Sequence, residues 1–335
     1  MTLARIVVLD GYTVNPGDNP WTPLAELGQL TVYDRSSPEQ ALARAAQAQI
    51  VISNKAELSG ATLGQLPQLR GVSVLATGVN CVDLEVATAR GIPVCNVPSY
   101  STTSVVQHTL ALLLELCHHV GRHDASVHAG DWQRAPDFCY WQSPLLELSG
   151  KLLGVVGYGA IGQGVANAAQ ALGMRVCAAR LPGRPGSGAD TSGVPRHSLD
   201  DLFRECDVIS LHCPLNADTR QLVSAARLSL MKPSSFLINT ARGGLIDEHA
   251  LRSALDAGVL AGAALDVLSS EPPHPDNPLL AARHCIITPH IAWTSLGARR
   301  RLLETTVENV RSILAGQPIH VVNPGYAAAH GRRPE

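Results

Sequence analysis

The chain alternates short, continuous apolar runs with longer stretches whose apolar residues recur every three or four positions. Apolar runs bounded by turn residues predict buried strands, and the second spacing predicts amphipathic helices. Over the first hundred residues the runs fall at 5–10, 30–33, 49–53, 72–76 and 92–96, with helical spacing at 38–48, 60–66 and 83–90. A long apolar helix is expected from about 102 to 120. The alternation stops over 122–149, which reads as irregular. It restarts with six strands at 152–156, 175–178, 208–211, 236–239, 262–265 and 285–288. Strand–helix alternation of this kind predicts parallel sheets with helices on both faces. The expected fold class is therefore α/β, with two doubly wound parallel-sheet domains and a cleft between them. A helix at about 295–315 follows the last strand and is long enough to cross back, making the first domain discontinuous. Residues 1–100 plus 292–325 are expected to form one domain, 101–291 the other, and 326–335 a tail disordered by composition.

Length agrees, since 335 residues exceed what one hydrophobic core usually supports. Apolar residues make up 45% and charged residues only 16%, which excludes a disordered chain. A formal charge of −2 gives no electrostatic footprint for nucleic acid or an acidic membrane. The triplet Arg299, Arg300, Arg301 reads as one solvated helix face. Residues 1–10 lack the pattern of a signal peptide, and the longest apolar segment, 105–117, is too short to span a bilayer. Eight singly scattered cysteines point to reduced thiols and a cytoplasmic protein. Trp132, Phe138, Tyr140 and Trp141 crowd the irregular segment, suggesting contact with a ligand or a second subunit.

The chemistry enters with the apolar run 152–156, which feeds directly into Gly157, Gly159 and Gly162 at Gly-x-Gly-x-x-Gly spacing, with helical pattern over 163–173. The first glycine allows a tight turn, the second lets backbone approach a pyrophosphate, and the third lets helix pack on strand. The phosphates then rest on the helix N-terminus, so a dinucleotide site is expected. Three later segments carry reactive groups. Arg242 lies just past a strand end among small residues and suits a substrate carboxylate. Asp266 ends the next strand, where it would accept hydrogen bonds from a nicotinamide carboxamide, and Glu271 follows, stiffened by Pro272 and Pro273. His290 ends the last strand. Together they fit hydride transfer between a nicotinamide and a 2-hydroxy acid, with His290 as general acid/base, Glu271 orienting its ring and Arg242 holding the carboxylate. In the first domain, the loop of Ala76, Thr77 and Gly78 offers backbone N–H groups to the same anion. His118, His119, His123 and His128 cluster without a zinc signature, so no metal is expected.

With these segments in hand, the chain resembles the D-isomer-specific 2-hydroxyacid dehydrogenases from about residue 5 to 323. The matching motifs are residues 157–162, the loop Leu211-His212-Cys213-Pro214-Leu215, residues 239–244, 264–268, Glu271-Pro272-Pro273, and 288–293. The resemblance implies a Rossmann NAD(P)-binding domain and a flavodoxin-like substrate (catalytic) domain. It implies that Arg242, Glu271 and His290 are catalytic and that Trp141 helps line the substrate pocket. Implied cofactor contacts are Thr103, the three glycines with Ala160 and Ile161, Cys213 and Pro214, and Arg180 is expected among them by its position. Thr219, Thr240, Ala241, Asp266, His290 and Trp293 complete that set. A homodimer built through the Rossmann domain and an arm near 118–145 is implied as well. Phe138-Cys139-Tyr140 and His290-Ile291-Ala292-Trp293 look most like the glycerate dehydrogenase (hydroxypyruvate reductase) branch, hence a small 2-oxo or 2-hydroxy acid as substrate. One departure matters. The family places an acid 18 positions after the last glycine of its fingerprint; here that position is Arg180, with Arg184 close by and no acid in 174–189. Losing that carboxylate removes repulsion toward a 2′-phosphate, so the expectation leans to NADP(H). Two other readings use the same scaffold: a non-enzymatic NAD(P)-binding sensor of the corepressor type, and a phosphite or formate dehydrogenase.

Overall fold

The computed structural model describes residues 3–181 and 193–326. The chain folds as two units, Met1–Ser101 with Trp293–Glu335, and Thr102–Ala292. Arg184 and the tail from 327 onward lie outside the described residues.

In the first unit, β1 (Arg5–Val8), β2 (Gln29–Val32), β3 (Ile50–Ser53), β4 (Gly71–Val74) and β5 (Val94–Cys95) form one parallel sheet in the order β2-β1-β3-β4-β5. This is the flavodoxin-like doubly wound order. Its strands are apolar throughout because both faces are covered. Val7, Val51 and Val72 pack under α2 (Pro38–Ala45), α3 (Gly60–Gly64) and α4 (Leu84–Ala89). Ile6, Val8, Ile50 and Ile52 face α1 (Thr22–Ala25) and the late helix α11 (Leu296–Leu314), through Leu24, Leu302, Val310 and Ile313. The strand expected over 92–96 shrinks to two residues, because Asn96 turns away to bond His320 and Thr77.

The second unit holds β6 (Leu152–Val156), β7 (Arg175–Ala179), β8 (Arg196–His197), β9 (Val208–Leu211), β10 (Phe236–Asn239), β11 (Gly262–Leu265) and β12 (Cys285–Ile287). Their order, β12-β11-β10-β9-β6-β7-β8, is the Rossmann arrangement extended by one strand. The sheet has seven strands rather than the six expected, because the short edge strand β8 pairs with Ala178 and Ala179. On one face α5 (Thr102–His118) and α7 (Ala160–Ala171) cover Leu153, Val155, Val208 and Ile238. On the other, α8 (Leu199–Glu205), α9 (Ala225–Leu228) and α10 (Glu248–Asp256) cover Ile209, Leu211, Leu237 and Ala263. A Cβ on Gly164 would fall 2.6 Å from Val106 Cγ2, so this glycine sets how closely α7 approaches α5.

The segment 122–149 is not irregular throughout. It starts inside α6 (Val120–His128), whose only buried residue is Ser126, so no apolar stripe marked it. Beyond it, Trp132, Phe138 and Trp141 are 53%, 88% and 68% exposed, a concentration of aromatic surface on one segment. No helix among the described residues is long and apolar enough to cross a membrane.

Candidate active site

Five parallel strands of the second unit end level with one another. Val156 pairs with Leu211, Leu211 with Asn239, Asn239 with Leu265, and Leu265 with Ile287. Each loop that follows therefore leaves from the same C-terminal edge, where open α/β sheets bind ligands. Along that edge come Gly157, His212 and Cys213, Thr240 to Arg242, Asp266, and Thr288 to His290.

The glycine turn is built as its spacing predicts. Gly157 has φ +102°, and a Cβ there would fall 2.5 Å from the Cys213 nitrogen. At Gly162 it would fall 2.1 Å from the Gly157 carbonyl oxygen, which forces glycine where α7 crosses the turn. Helix α7 accordingly starts at Ala160 rather than Gln163, and Gly159 is its N-cap, bringing no side chain to the first-turn N–H groups. A Cβ on Gly159 would meet nothing within 4 Å. Open space, free donors and the positive end of a helix dipole fit the pyrophosphate of a dinucleotide.

Asn239, fully buried at the end of β10, shapes the next loop. Its Oδ1 accepts from the Ala241 N–H (3.0 Å) and its Nδ2 donates to the Arg242 carbonyl (2.9 Å). The Arg242 side chain is exposed, with Nη1 donating to the Ala241 carbonyl at 2.7 Å. Next to it, a Cβ on Gly243 would fall 1.9 Å from the Leu268 carbonyl carbon. Backbone thus lies on backbone, and the arginine loop is held against the loop bearing Glu271. That second loop is clamped by Glu248 on α10, whose carboxylate accepts from the Ser269 N–H (2.7 Å), the Ser269 hydroxyl (2.8 Å) and Asn277 Nδ2 (2.8 Å).

Asp266 organises the histidine loop. Its carbonyl accepts from the His290 N–H at 2.8 Å. Its Oδ1 accepts from the Thr288 hydroxyl (2.6 Å) and the Ile291 N–H (2.9 Å), and its Oδ2 from the Ala292 N–H (2.8 Å). Burial raises the pKa of this carboxyl, and the hydrogen bonds from His108, Thr288, Ala292 and Ile291 outweigh it, leaving it below the usual value. Wrapped this way, His290 takes a left-handed backbone, φ +54°. Its Nδ1 lies 2.6 Å from Glu271 Oε2, while Glu271 Oε1 accepts from the Leu268 N–H at 3.1 Å. A carboxylate only accepts, so Nδ1 carries a proton and Nε2 is left to exchange one. Both side chains are partly open, His290 28% and Glu271 36% exposed, as groups that meet a substrate must be.

An imidazole–carboxylate pair stands on the same strand edge as an arginine loop and a glycine turn, an arrangement that suits hydride transfer. Residues 110–292 match the model of the D-isomer specific 2-hydroxyacid dehydrogenase NAD-binding domain. The chain belongs to this family. It is an NAD(P)-dependent oxidoreductase acting on a CH–OH group. A hydroxypyruvate reductase of Blautia hydrogenotrophica is 46% identical over 95% of this chain and 99% of its own length. A glycerate dehydrogenase of Methylorubrum extorquens is 40% identical over 85% of this chain and 89% of its own. Among solved structures, an NADPH-dependent glyoxylate/hydroxypyruvate reductase of Sinorhizobium meliloti, in complex with NADP and malonate, superposes with TM-score 0.80. It is 27% identical over 95% of this chain and 97% of that one.

The remaining residues of this dehydrogenase singled out from sequence fall into several settings. Ala160, Ile161 and Pro214 lie at the surface or partly open beside the glycine turn, Ala241 is half-buried, and Thr103 is exposed in the first turn of α5. Thr219 is buried, its hydroxyl donating to the Pro214 carbonyl at 2.7 Å, so it shapes the loop after β9. Thr240 shares a hydrogen bond with Thr109 on α5 at 3.1 Å. The Cys213 thiol is buried, and burial pushes its pKa up to about 11, which leaves it an inert packing group. Arg180 is exposed at the end of β7, its N–H bonded to His197 of β8. Trp141 is exposed on the second unit. In the first unit, Ala76, Thr77 and Gly78 follow β4, with the Thr77 hydroxyl donating to the Val97 carbonyl at 2.9 Å. Trp293 also belongs to that unit and packs edge-on against Tyr100 at 6.2 Å. Among the described residues no three His, Cys, Asp or Glu side chains gather as a metal site. Two supporting residues carried no motif that sequence reading caught. Glu248 is one; His108, whose Nε2 lies 3.1 Å from the Thr288 hydroxyl, is the other.

Proposed function

We propose that this dehydrogenase interconverts hydroxypyruvate with D-glycerate and glyoxylate with glycolate, with NADP(H) as its preferred cofactor. The observation that carries the chemistry is the 2.6 Å contact between His290 Nδ1 and Glu271 Oε2. A bound nicotinamide supplies or takes the hydride at the substrate's C2. In the direction of reduction, His290 delivers the proton on Nε2 to the carbonyl oxygen, and in oxidation it removes the hydroxyl proton. Glu271 fixes the ring plane, so little reorganisation accompanies proton transfer. Arg242 binds the substrate carboxylate through its planar fork of donors. The choice of small 2-oxo acids is supported by the hydroxypyruvate reductase and glycerate dehydrogenase relatives.

The cofactor preference is supported by charge. Arg180 directly follows β7, and the Arg196 guanidinium of β8 lies 4.6 Å over the ring of Tyr158, a residue of the glycine turn. We further propose a homodimer closed through residues 118–145, supported by the exposed Trp132, Phe138 and Trp141. A cytoplasmic location is supported by eight cysteines that are all free thiols.

The test is turnover of NADPH and NADH with hydroxypyruvate, glyoxylate, pyruvate and bulkier 2-oxo acids, and of NADP⁺ and NAD⁺ with formate and phosphite. The highest kcat/KM is expected for hydroxypyruvate or glyoxylate with NADPH. Turnover of formate or phosphite alone, or of nothing, overturns the reading. His290→Ala is expected to lower kcat by orders of magnitude while the cofactor still binds.

A further inference from the structure

The reactive loops of the second unit are tied to one face of a helix that carries no reacting group. Ser104, His108 and Thr109 lie at i, i+4 and i+5 on α5. The Ser104 hydroxyl donates to the Ala292 carbonyl at 2.7 Å, and Thr109 meets the Thr240 hydroxyl at 3.1 Å. Between them, His108 Nε2 lies 3.1 Å from Thr288 Oγ1 and 3.4 Å from Asp266 Oδ1. The direction of these bonds is fixed by counting protons. Thr288 has one hydroxyl hydrogen, and the 2.6 Å contact to Asp266 Oδ1 uses it, because a carboxylate only accepts. Thr288 must therefore accept from His108, and the same Nε2–H leans toward Asp266. An Nε2–H on His108 satisfies both oxygens.

We infer that His108 is a positioning residue: its Nε2–H locks the Thr288–Asp266 pair, and through that pair it sets the loop that presents His290. The inference rests on His290 being the proton donor. The chain of contacts is short. His108 orients the Thr288 hydroxyl and Asp266 Oδ1, Asp266 holds the N–H groups of Ile291 and Ala292, and its carbonyl holds that of His290. His290 stands in a left-handed conformation, held there by the Asp266 carbonyl on its N–H and the Asp266 carboxylate on the two that follow. Removing one donor from a buried carboxylate weakens the whole clamp, because the remaining donors belong to the loop that must stay still.

Two substitutions separate the donor from mere bulk. His108→Gln places an amide N–H where Nε2 stands, whereas His108→Asn places it where Nδ1 stands, a bond short of Thr288. In the protein without ligand, amide exchange at Ile291 and Ala292 is expected to be about tenfold faster in His108→Asn and near wild type in His108→Gln. The same His108→Asn protein is expected to lose about tenfold or more in kcat with cofactor KM within about threefold, and to show a larger primary isotope effect from 4-deuterated nicotinamide. His108→Gln should recover kcat to within about threefold. Wild-type exchange and kcat in His108→Asn, or equal impairment in both variants, overturns the inference. If His290→Ala stays active, the proton-donor reading is what fails, and the exchange result still reports on the clamp by itself.

Discussion

Substituting Gly243 by alanine tests how closely the arginine loop must lie on the loop bearing Glu271. The added Cβ would stand 1.9 Å from the Leu268 carbonyl carbon, 2.1 Å from its oxygen and 2.3 Å from the Ser269 nitrogen. Carbon atoms rest about 3.5–4.0 Å apart, so the loops must separate by roughly 1.5–2 Å. All three neighbours are backbone, and none can swing aside. An alanine also restricts the unfolded chain, which stabilises by about 0.4–1 kcal/mol where the site tolerates it. Overpacking costs about 1–3 kcal/mol or more, so the clash wins. Net of that gain, and at about 2–4 °C in melting temperature per kcal/mol for a unit of this size, the fall is up to about 10 °C. Activity should suffer more. Misplacement by about 1 Å at a reacting centre costs on the order of a hundredfold, and here Arg242 and Glu271 move apart by more. Gly159→Ala is the control, since its Cβ meets open space. It should melt at or near the wild-type temperature and yet bind NAD(P)H more weakly, because the methyl enters the space assigned to phosphate. Thermal unfolding, cofactor titration and kcat/KM with hydroxypyruvate measure all three effects. Wild-type melting and turnover in Gly243→Ala would refute the argument.

Three further outcomes are expected. Glu271→Gln keeps a polar group of the same shape beside His290 but removes its charge; kcat should fall about tenfold or more while cofactor affinity holds, and an unchanged kcat refutes the role. Arg180→Asp should turn the ratio of kcat/KM for NADPH over NADH by tenfold or more toward NADH, and an unmoved ratio removes Arg180 from 2′-phosphate recognition. Desolvation pushes the His212 pKa down to about 4 from 6.5, so its contribution to stability is complete above pH 6.5 and is lost as pH falls through 4. Unfolding free energies from denaturant titration at pH 7 and 4.5 should differ by about 2–3 kcal/mol more in the wild type than in His212→Gln, and equal differences exclude His212 as the cause.

Much of this molecule is legible in its sequence because its strands are buried on both faces. Leu152–Val156, Val208–Leu211, Phe236–Asn239 and Gly262–Leu265 run apolar from end to end and stop where the pattern stops. Arg196–His197 gives no such signal, being two polar residues that pair only because β7 stands beside them. Helix α6 escapes for the converse reason, since a helix that buries one serine has no apolar face to announce. Positions 242, 271 and 290 could be picked out because each stands a few residues past a strand end. His108 could not, because its meaning lies in a contact with Thr288, 180 residues away. The spacing of Ser104 and His108 on one helical face was its only local trace. Glu248 is equally silent, reading as an ordinary first-turn acid of α10 while its carboxylate holds Ser269 and Asn277.

Two carboxylates five residues apart meet the same histidine, and their environments divide the work between them. Asp266 has no exposed side-chain surface, and its oxygens accept two backbone N–H groups and a threonine hydroxyl. Such a group is committed, because taking up a proton or turning aside would strand buried donors at about 1–3 kcal/mol each. It holds the His290 loop through hydrogen bonds to the main chain of residues 290–292. Glu271 has one oxygen on a single backbone N–H and the other on His290 Nδ1, with a third of its side chain open to solvent. This is the carboxylate that touches the ring, and its contact at Nδ1 orients the imidazole. The proposed proton transfer needs a ring held at its backbone and oriented at its edge. One acid buried in backbone donors and another half open beside the ring supply these two requirements separately.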